Sequence, residues 1–306
     1  MSIPAPVNFL RIFLTCIISI LLTACGAPAP SALVLQSDFG LKDGAVNEMK
    51  AIAYSIDPKL SFFDLTHEIP PYNIWEAAYR LQQSAPYWPK GTVFVSVVDP
   101  GVGTDRKSVV MRSKTGHYFV TPDNGTLHFV ASSLGIDQVR QIDETINRRQ
   151  GSSESYTFHG RDVYVYTAAR LASGKITIEE VGPRLPDSVV QFEVLPPKLS
   201  DTTITGNIPV LDPQYGNVWT NIPDSLCTRF GIKAGDSLHV RIIGNNDIVF
   251  EGNLVMAKTF GDVPVGKALG YINSLMNLSF AINEGNFADS FRIKNGPQWK
   301  VVLSHP

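Results

Sequence analysis

Two aspartates stand where ligand chemistry gathers in chains that alternate strands and helices. Asp38 follows the apolar run Ala32 to Gln36, and Asp99 follows the β-branched run Thr92 to Val98. Each opens a glycine-bearing loop, Asp38-Phe39-Gly40 and Asp99-Pro100-Gly101-Val102-Gly103, of the kind that lets backbone come close to a ligand. A carboxylate there can accept hydrogen bonds from hydroxyls or water, and an open parallel sheet takes its ligands at the carboxyl ends of its strands. Aspartate also favours strand-to-turn exits for conformational reasons alone, and either residue taken singly fits that reading.

Other chemistries lack their signatures. Gly101-Val102-Gly103 is without the third glycine of a dinucleotide fingerprint, no Walker-type loop exists, and no G-x-S-x-G elbow offers a serine nucleophile. His67, His117, His128, His159, His239 and His305 are scattered, with no H-x-x-x-H spacing or Cys/His cluster, so no metal site is expected. The chain has 306 residues and a formal net charge of −2, and its one short basic pair, Arg148-Arg149, sits in a polar stretch. A basic face for nucleic acid is therefore not expected.

The elements that must carry the two aspartates follow from periodicity. Val46 to Ile56, Ile74 to Ser84, Thr126 to Leu134 and Asp162 to Ala172 have helical spacing; Leu60 to Leu65 and Tyr118 to Thr121 read as further strands. This alternation predicts an α/β fold, a mostly parallel sheet flanked by helices, over residues 32–197. Beyond Leu195-Pro196-Pro197 come short β-rich runs: Thr202 to Leu211, Ser237 to Ile243, Ile248 to Phe250 and Lys300 to Leu303. With turn residues between them they predict a small all-β barrel domain over residues 198–306.

Two strings go further than composition. Val98-Asp99-Pro100-Gly101-Val102-Gly103-Thr104-Asp105-Arg106 and Thr157-Phe158-His159-Gly160-Arg161-Asp162 resemble the SAM hydrolases, or SAM hydroxide adenosyltransferases, which share a fold with the bacterial fluorinase and chlorinase. Ser37-Asp38-Phe39-Gly40, Asp64-Leu65-Thr66-His67, Pro122-Asp123-Asn124-Gly125 and Tyr215-Gly216-Asn217-Val218-Trp219-Thr220-Asn221 extend the resemblance, in order, through both domains. It implies hydrolysis of S-adenosyl-L-methionine (SAM) to adenosine and methionine, with SAM as substrate and no cofactor. It places water activation on Asp99, Arg106 and His159. A carboxylate at position 99 repels a halide but accepts a hydrogen bond from water; Gly160 stands where the fluorinase has a serine that helps to bind fluoride. A purely structural Asp99–Arg106 ion pair is the competing reading.

The same resemblance assigns Asp38 to the ribose hydroxyls, Tyr72 and Phe260 to the ribose and adenine faces, and Asn217 to the adenine edge. Asp212 is assigned to the amino group of the methionine part and Ser274 to its carboxylate, although Leu275 replaces the arginine that the fluorinase places next to that serine. It further implies a homotrimer, each site built from one subunit's first domain and its neighbour's barrel. A single pocket between sheet and barrel is expected to align water, the ribose C5′ carbon and the sulfonium.

Residues 1–24 read as a lipoprotein signal peptide. Arg11 precedes the apolar run Ile12 to Leu22, too short for a bilayer span of about 20 residues. Leu22-Thr23-Ala24-Cys25 resembles a lipobox, which makes Cys25 the expected lipidation site, residues 25–31 a tether, and the lipid-anchored chain a resident of the bacterial cell envelope. An ordinary signal peptide with an incidental cysteine is the plainer alternative. Export sits uneasily with a cytosolic metabolite. A related adenosine compound as substrate, a non-catalytic adenosine- or SAM-binding lipoprotein, and a SAM-dependent halogenase are therefore weighed beside the hydrolase. Only Cys227 then remains as a free thiol, expected to be buried.

Overall fold

The structure, a computed structural model, describes residues 31–305. The expected signal segment, Cys25 and most of the tether lie outside the described residues. Among the described residues no helix is long and apolar enough to cross a membrane.

Strands β1 (Leu33–Ser37), β2 (Phe62–Thr66), β3 (Val93–Val97), β4 (Ser108–Ser113), β5 (Tyr118–Pro122), β6 (Ile136–Gln141) and β7 (Arg184–Leu185) form one sheet, ordered β2-β1-β3-β5-β4-β6-β7. The β2–β1, β1–β3 and β3–β5 pairings are parallel; β5–β4, β4–β6 and β6–β7 are antiparallel. The site-bearing half is thus the parallel one. The antiparallel half is built on β4 and β6, which periodicity does not single out: Val109-Val110-Met111 is a short run hemmed by Arg106-Lys107 and Arg112.

Helices α1 (Ala45–Ile56) and α4 (Val165–Ala172) cover one face, where Met49, Ala53, Ala168 and Ala169 pack on Leu33, Leu35, Val93 and Val95. Helices α2 (Ile74–Ser84) and α3 (His128–Leu134) cover the other, where Leu81 and Val130 meet Val34, Phe94 and Phe119. Successive strand residues point to opposite faces, so cover on both sides explains why β1 and β3 are buried throughout. Asn73 starts α2 by accepting a hydrogen bond from the Glu76 N–H at 3.0 Å.

The second sheet comprises β8 (Lys198–Leu199), β9 (Ile204–Ile208), β10 (Val210–Leu211), β11 (Val218–Pro223), β12 (Ser237–Gly244), β13 (Asp247–Met256), β14 (Ala268–Ile272), β15 (Asn277–Ile282) and β16 (Gly296–Ser304). Its order is β10-β11-β15-β14-β13-β12-β16-β9-β8, and it curls until the Asn207 N–H of β9 meets Asn221 Oδ1 of β11 at 2.8 Å. Ile204, Leu238, Val240, Phe280 and Val301 fill the inside, joined by Cys227 of the short helix α5 (Asp224–Arg229) and Phe287 of α6 (Phe287–Ser290). The two domains are stitched through α2: Trp75 Nε1 donates to the Pro209 carbonyl at 2.6 Å and Arg80 Nη2 to the Leu211 carbonyl at 2.9 Å.

One turn departs from regular geometry. Gly160–Tyr164 is π-helical, with the Val165 N–H donating to the Gly160 carbonyl. Such wide turns recur at functional sites. This one carries Asp162 and Tyr164 to full burial. Asp162 is held by Arg149 at 2.8 Å and by two nitrogens of Arg161 at 2.9 and 2.8 Å. Burial alone would raise its pKa, but the two arginines outweigh that and hold it below the ordinary aspartate value. The unfolded chain therefore takes up this proton first on acidification. The stabilisation is full above the ordinary aspartate value and is lost as pH falls through the lower folded value. Asp162→Asn is expected to flatten the acid limb of the thermal-melting profile and to cost about 3 kcal/mol at neutral pH; an unchanged acid limb would contradict this.

Candidate active site

The strand order sets the location. From β1 the chain passes to β2 on one side and then to β3 on the other, so β1 and β3 flank a topological switch point, where a crevice opens beyond the strand ends. Asp38 leaves β1 there and Asp99 leaves β3. The loop after β1 is held from below. Gly40, at φ 65°, donates its N–H to the His67 carbonyl at 2.7 Å. His67 Nε2 lies 3.1 Å from Asp64 Oδ1, so Nδ1 is left to accept from the Ser37 hydroxyl at 2.7 Å. Burial pushes the His67 pKa down, in keeping with this neutral role. Asp38 uses one oxygen to accept the Tyr72 N–H at 2.9 Å. That bond supports Tyr72 in the left-handed region, φ 67°, with its ring exposed.

The loop after β3 returns on itself. The Val102 N–H donates to the Asp99 carbonyl and the Thr104 N–H to that of Gly101, and Gly103 supplies a φ of 78°. The return brings Arg106 onto Asp99 in a two-pronged pair, Nε to Oδ1 at 2.9 Å and Nη2 to Oδ2 at 2.6 Å. Arg106 also donates to Ser108 Oγ at 2.9 Å; Ser108 donates to the Tyr164 hydroxyl at 3.3 Å, and Tyr164 donates to Asp99 Oδ2 at 3.2 Å. Every donor in this ring points, directly or through a hydroxyl, at one carboxylate. Burial, reinforced by Asp99, raises the Tyr164 pKa, so Tyr164 stays a protonated donor. Burial would lower the Arg106 pKa, but its bonds to Asp99 raise it overall.

Asp38, Tyr72, Asp99 and His159 line one cavity of about 370 Å³, with Phe39, Val102, Phe158 and Gly160 among its walls. Arg106 stands behind Asp99. His159 is 4% exposed and its Nδ1 has no hydrogen-bond partner among the described residues. A Cβ on Gly160 would come within 3.2–3.3 Å of Phe158, Phe39 and Val97, so the position has little room for a larger residue.

Asp212, Asn217, Phe260 and Ser274 line a different cavity, about 810 Å³, made wholly of barrel residues. Asn217 is buried and its amide donates to Asp212 Oδ2 at 3.2 Å, while Asp212 Oδ1 receives the Gln214 and Tyr215 N–H groups. Gly216 is obligatory there: φ is 67°, and a Cβ would collide with the Asn286 side chain. Phe260 and Tyr271 have ring centroids 5.1 Å apart beside Trp219, an apolar wall suited to a flat ring.

Among the described residues of one chain, the site residues are therefore divided between two cavities and do not share the single pocket expected between sheet and barrel. A groove of about 870 Å³ does run between the domains, where Asp64 and Arg80 face Asp212 and Ser274, but Asp38, Asp99 and His159 lie outside it. The reason is the docking of the barrel on α2 through Pro209 and Leu211, which leaves no barrel residue lining the cavity at the end of β3.

Ser108, Tyr164 and Glu144 join the site without having been singled out by sequence reasoning. Ser108 and Tyr164 complete the Asp99 ring, and Glu144 Oε2 lies 3.6 Å from His159 Nε2. Ser108 was within reach, two residues past Arg106; Tyr164 needs the π-helical register, and Glu144 carries no local signal. Among the described residues no group of three or more His, Cys, Asp or Glu side chains could hold a metal ion.

Comparison with known proteins agrees along the chain. Residues 33–182 match the SAM hydroxide adenosyltransferase N-terminal domain and residues 206–300 its C-terminal domain. An (R)-S-adenosyl-L-methionine hydrolase from Salinispora tropica is 33% identical over 278 residues, covering 90% of this chain and 99% of its own. A fluorinase from Nocardia brasiliensis is 28% identical over 298 residues, 89% of this chain and 96% of that one. The crystal structure of a conserved protein from Thermotoga maritima superposes with a TM-score of 0.82 at 34% identity, covering 89% of this chain and 100% of that one. Matched through both domains, in sequence and in fold, the chain belongs to the SAM hydroxide adenosyltransferase family.

Proposed function

We propose that this protein hydrolyses SAM to adenosine and L-methionine, with water attacking ribose C5′ in line with the departing sulfur. The observation that carries this reading is the shared cavity of Asp99 and His159, with Arg106 clamped behind the carboxylate. The leaving group is a neutral thioether departing from a sulfonium, so it needs no acid. The site must instead supply a held and partly deprotonated water. Asp99 already accepts three hydrogen bonds, and a carboxylate offers about four lone-pair positions, which leaves one for water. Alignment of the reacting atoms contributes about 7–11 kcal/mol in favourable cases, and general-base help about 10²–10⁴-fold. A buried carboxylate disfavours a halide, which is why water is the assigned nucleophile although a fluorinase is among the relatives. The reaction as written needs no cofactor.

The remaining assignments are part of the same reading. Asp38 and Tyr72 take the ribose, Phe260 and Asn217 the adenine, and Asp212 and Ser274 the methionine tail. Two separate half-sites in one chain support sites shared between copies, as in a homotrimer where the sheet end of one copy faces the barrel cavity of the next. Cys25 carries the lipid that anchors the chain to the membrane, in the bacterial cell envelope and facing the periplasm or exterior.

Three measurements test these statements. Incubation of the full chain with SAM should yield adenosine and methionine on a chromatogram, and Asp99→Ala should lose about 10²–10⁴-fold in rate while still binding adenosine; full turnover in that variant would overturn the mechanism. Asp99→Ala and Asn217→Ala chains, each inactive alone, should regain activity when unfolded and refolded together, since some mixed sites then have both halves intact. No recovery would refute sites shared between copies. Cys25→Ala should abolish the incorporation of labelled fatty acid into the chain; equal labelling of wild type and variant would refute the anchor.

A further inference from the structure

We propose that His67 is a positioning residue for Asp38: as a neutral ring with its proton on Nε2, it holds the loop after β1 so that the Asp38 carboxylate meets the hydroxyls of a ribose. Ser37, the last residue of β1, and His67, just past β2, are both buried, and the Ser37 hydroxyl lies 2.7 Å from His67 Nδ1. His67 Nε2 faces Asp64 Oδ1 of β2 at 3.1 Å, and Lys50 Nζ of α1 donates to Asp64 Oδ2 at 2.6 Å. Burial would raise the Asp64 pKa, but the bonds to Lys50 and His67 outweigh that and hold it below the ordinary aspartate value. The ring therefore faces an anion on one side and a hydroxyl on the other. A neutral imidazole serves both by donating from Nε2 and accepting at Nδ1.

His67 grips the loop on each side of Asp38. Ahead of it, the Ser37 hydroxyl, aimed by Nδ1, accepts the Phe39 N–H at 3.3 Å, a bond that spans Asp38. Behind it, the Gly40 N–H donates to the His67 carbonyl at 2.7 Å. Between these grips the Asp38 N–H reaches the Val97 carbonyl at 3.4 Å, and Asp38 Oδ2 takes the Tyr72 N–H at 2.9 Å. Oδ1 is then the oxygen left for a ribose hydroxyl. Phe39 lines the same cavity as Asp38 and meets the Phe158 ring edge-on, with centroids 5.6 Å apart. A slack loop would displace a wall of the cavity together with the carboxylate.

Ser37, His67 and Asp64 have the composition of a nucleophile triad, but Ser37 is fully buried, which denies its hydroxyl a substrate. The plainer competitor is that the trio only fills a polar gap beneath the strand ends. Two features favour positioning. Apart from the Asp64 contact that sets the ring, the hydrogen bonds of His67 go to residues within two positions of Asp38. The direction of the Ser37 bond is also fixed: a proton on Nδ1 would reverse it and leave a buried hydroxyl without an acceptor. The placing of the Nε2 proton stands on this geometry alone, whereas its effect on ligand rests on the reading of Asp38 as the ribose carboxylate.

The test uses the full chain and its Ser37→Ala and His67→Phe variants, each alone and combined with Asp38→Ala. Calorimetry reads the binding of adenosine and of 2′,3′-dideoxyadenosine, beside kinetics on SAM and thermal melting. The wild type should prefer adenosine, and S37A and H67F should each lose about tenfold of that preference, the worth of one hydrogen bond. Both should raise KM for SAM more than they lower kcat. In the Asp38→Ala background neither should weaken adenosine further, because His67 acts through that carboxylate. Ser37→Ala removes only a hydroxyl and stands in should His67→Phe not fold. Full preference in S37A, or equal losses with and without Asp38, would overturn the proposal. A lower melting temperature with the preference intact would favour the polar-gap account and overturn it likewise. A wild type that binds both nucleosides equally would remove the ribose role of Asp38 and this proposal with it. A wild type that prefers adenosine but forms none from SAM would sink the hydrolase reading alone.

Discussion

The site hangs on the pairing of Arg106 with Asp99. A carboxylate whose side chain is 5% exposed has lost most of its water, and the protein must supply donors in its place. Arg106 supplies two, and the hydroxyls of Ser108 and Tyr164 close the ring. Those four residues come from the loop after β3, from β4 and from the π-helical turn, so one buried carboxylate ties three elements together. It is also aimed, since it lines the cavity that His159 shares. Stability and chemistry make the same demand here, because the bonds that allow burial of the carboxylate also fix the direction in which it can hold a water.

The rest of the architecture supports that pair. Burial of β1 and β3 between two helical layers makes the strands rigid, and their order puts both aspartates at one crevice. The backbone then takes unusual paths close to the cavity: Tyr72 in the left-handed region, Gly103 reversing the loop, and Gly160 opening the wide turn. The barrel is built by other means, a curled, largely antiparallel sheet with aromatic rings inside, and it offers its own cavity of amide, carboxylate and aromatic groups. The two cavities differ in what they offer. One has polar groups suited to a nucleophile and a ribose, the other a surface suited to a purine.

Much of this was legible in the residues. Ile74–Ser84 shows its helix by period, Val93–Val97 its buried strand by β-branching, and the two Asp-plus-glycine loops mark the crevice. The antiparallel strands β4 and β6 were hidden because their apolar runs are short and interrupted by charge. The division of the site residues between two cavities was hidden for a different reason. Motif order along a chain says nothing about which way one domain turns against the other, and that orientation is set by contacts such as Trp75 to Pro209. Glu144 and Tyr164 reach the site only through tertiary placement, so no spacing could have named them.

The most direct measurement follows the oxygen. With SAM as substrate in water enriched in heavy oxygen, the account predicts that the label appears in the 5′-hydroxyl of adenosine and that methionine stays unlabelled. Unlabelled adenosine, or a methionine-derived product that carries the label, would place the attack somewhere other than C5′ and contradict it.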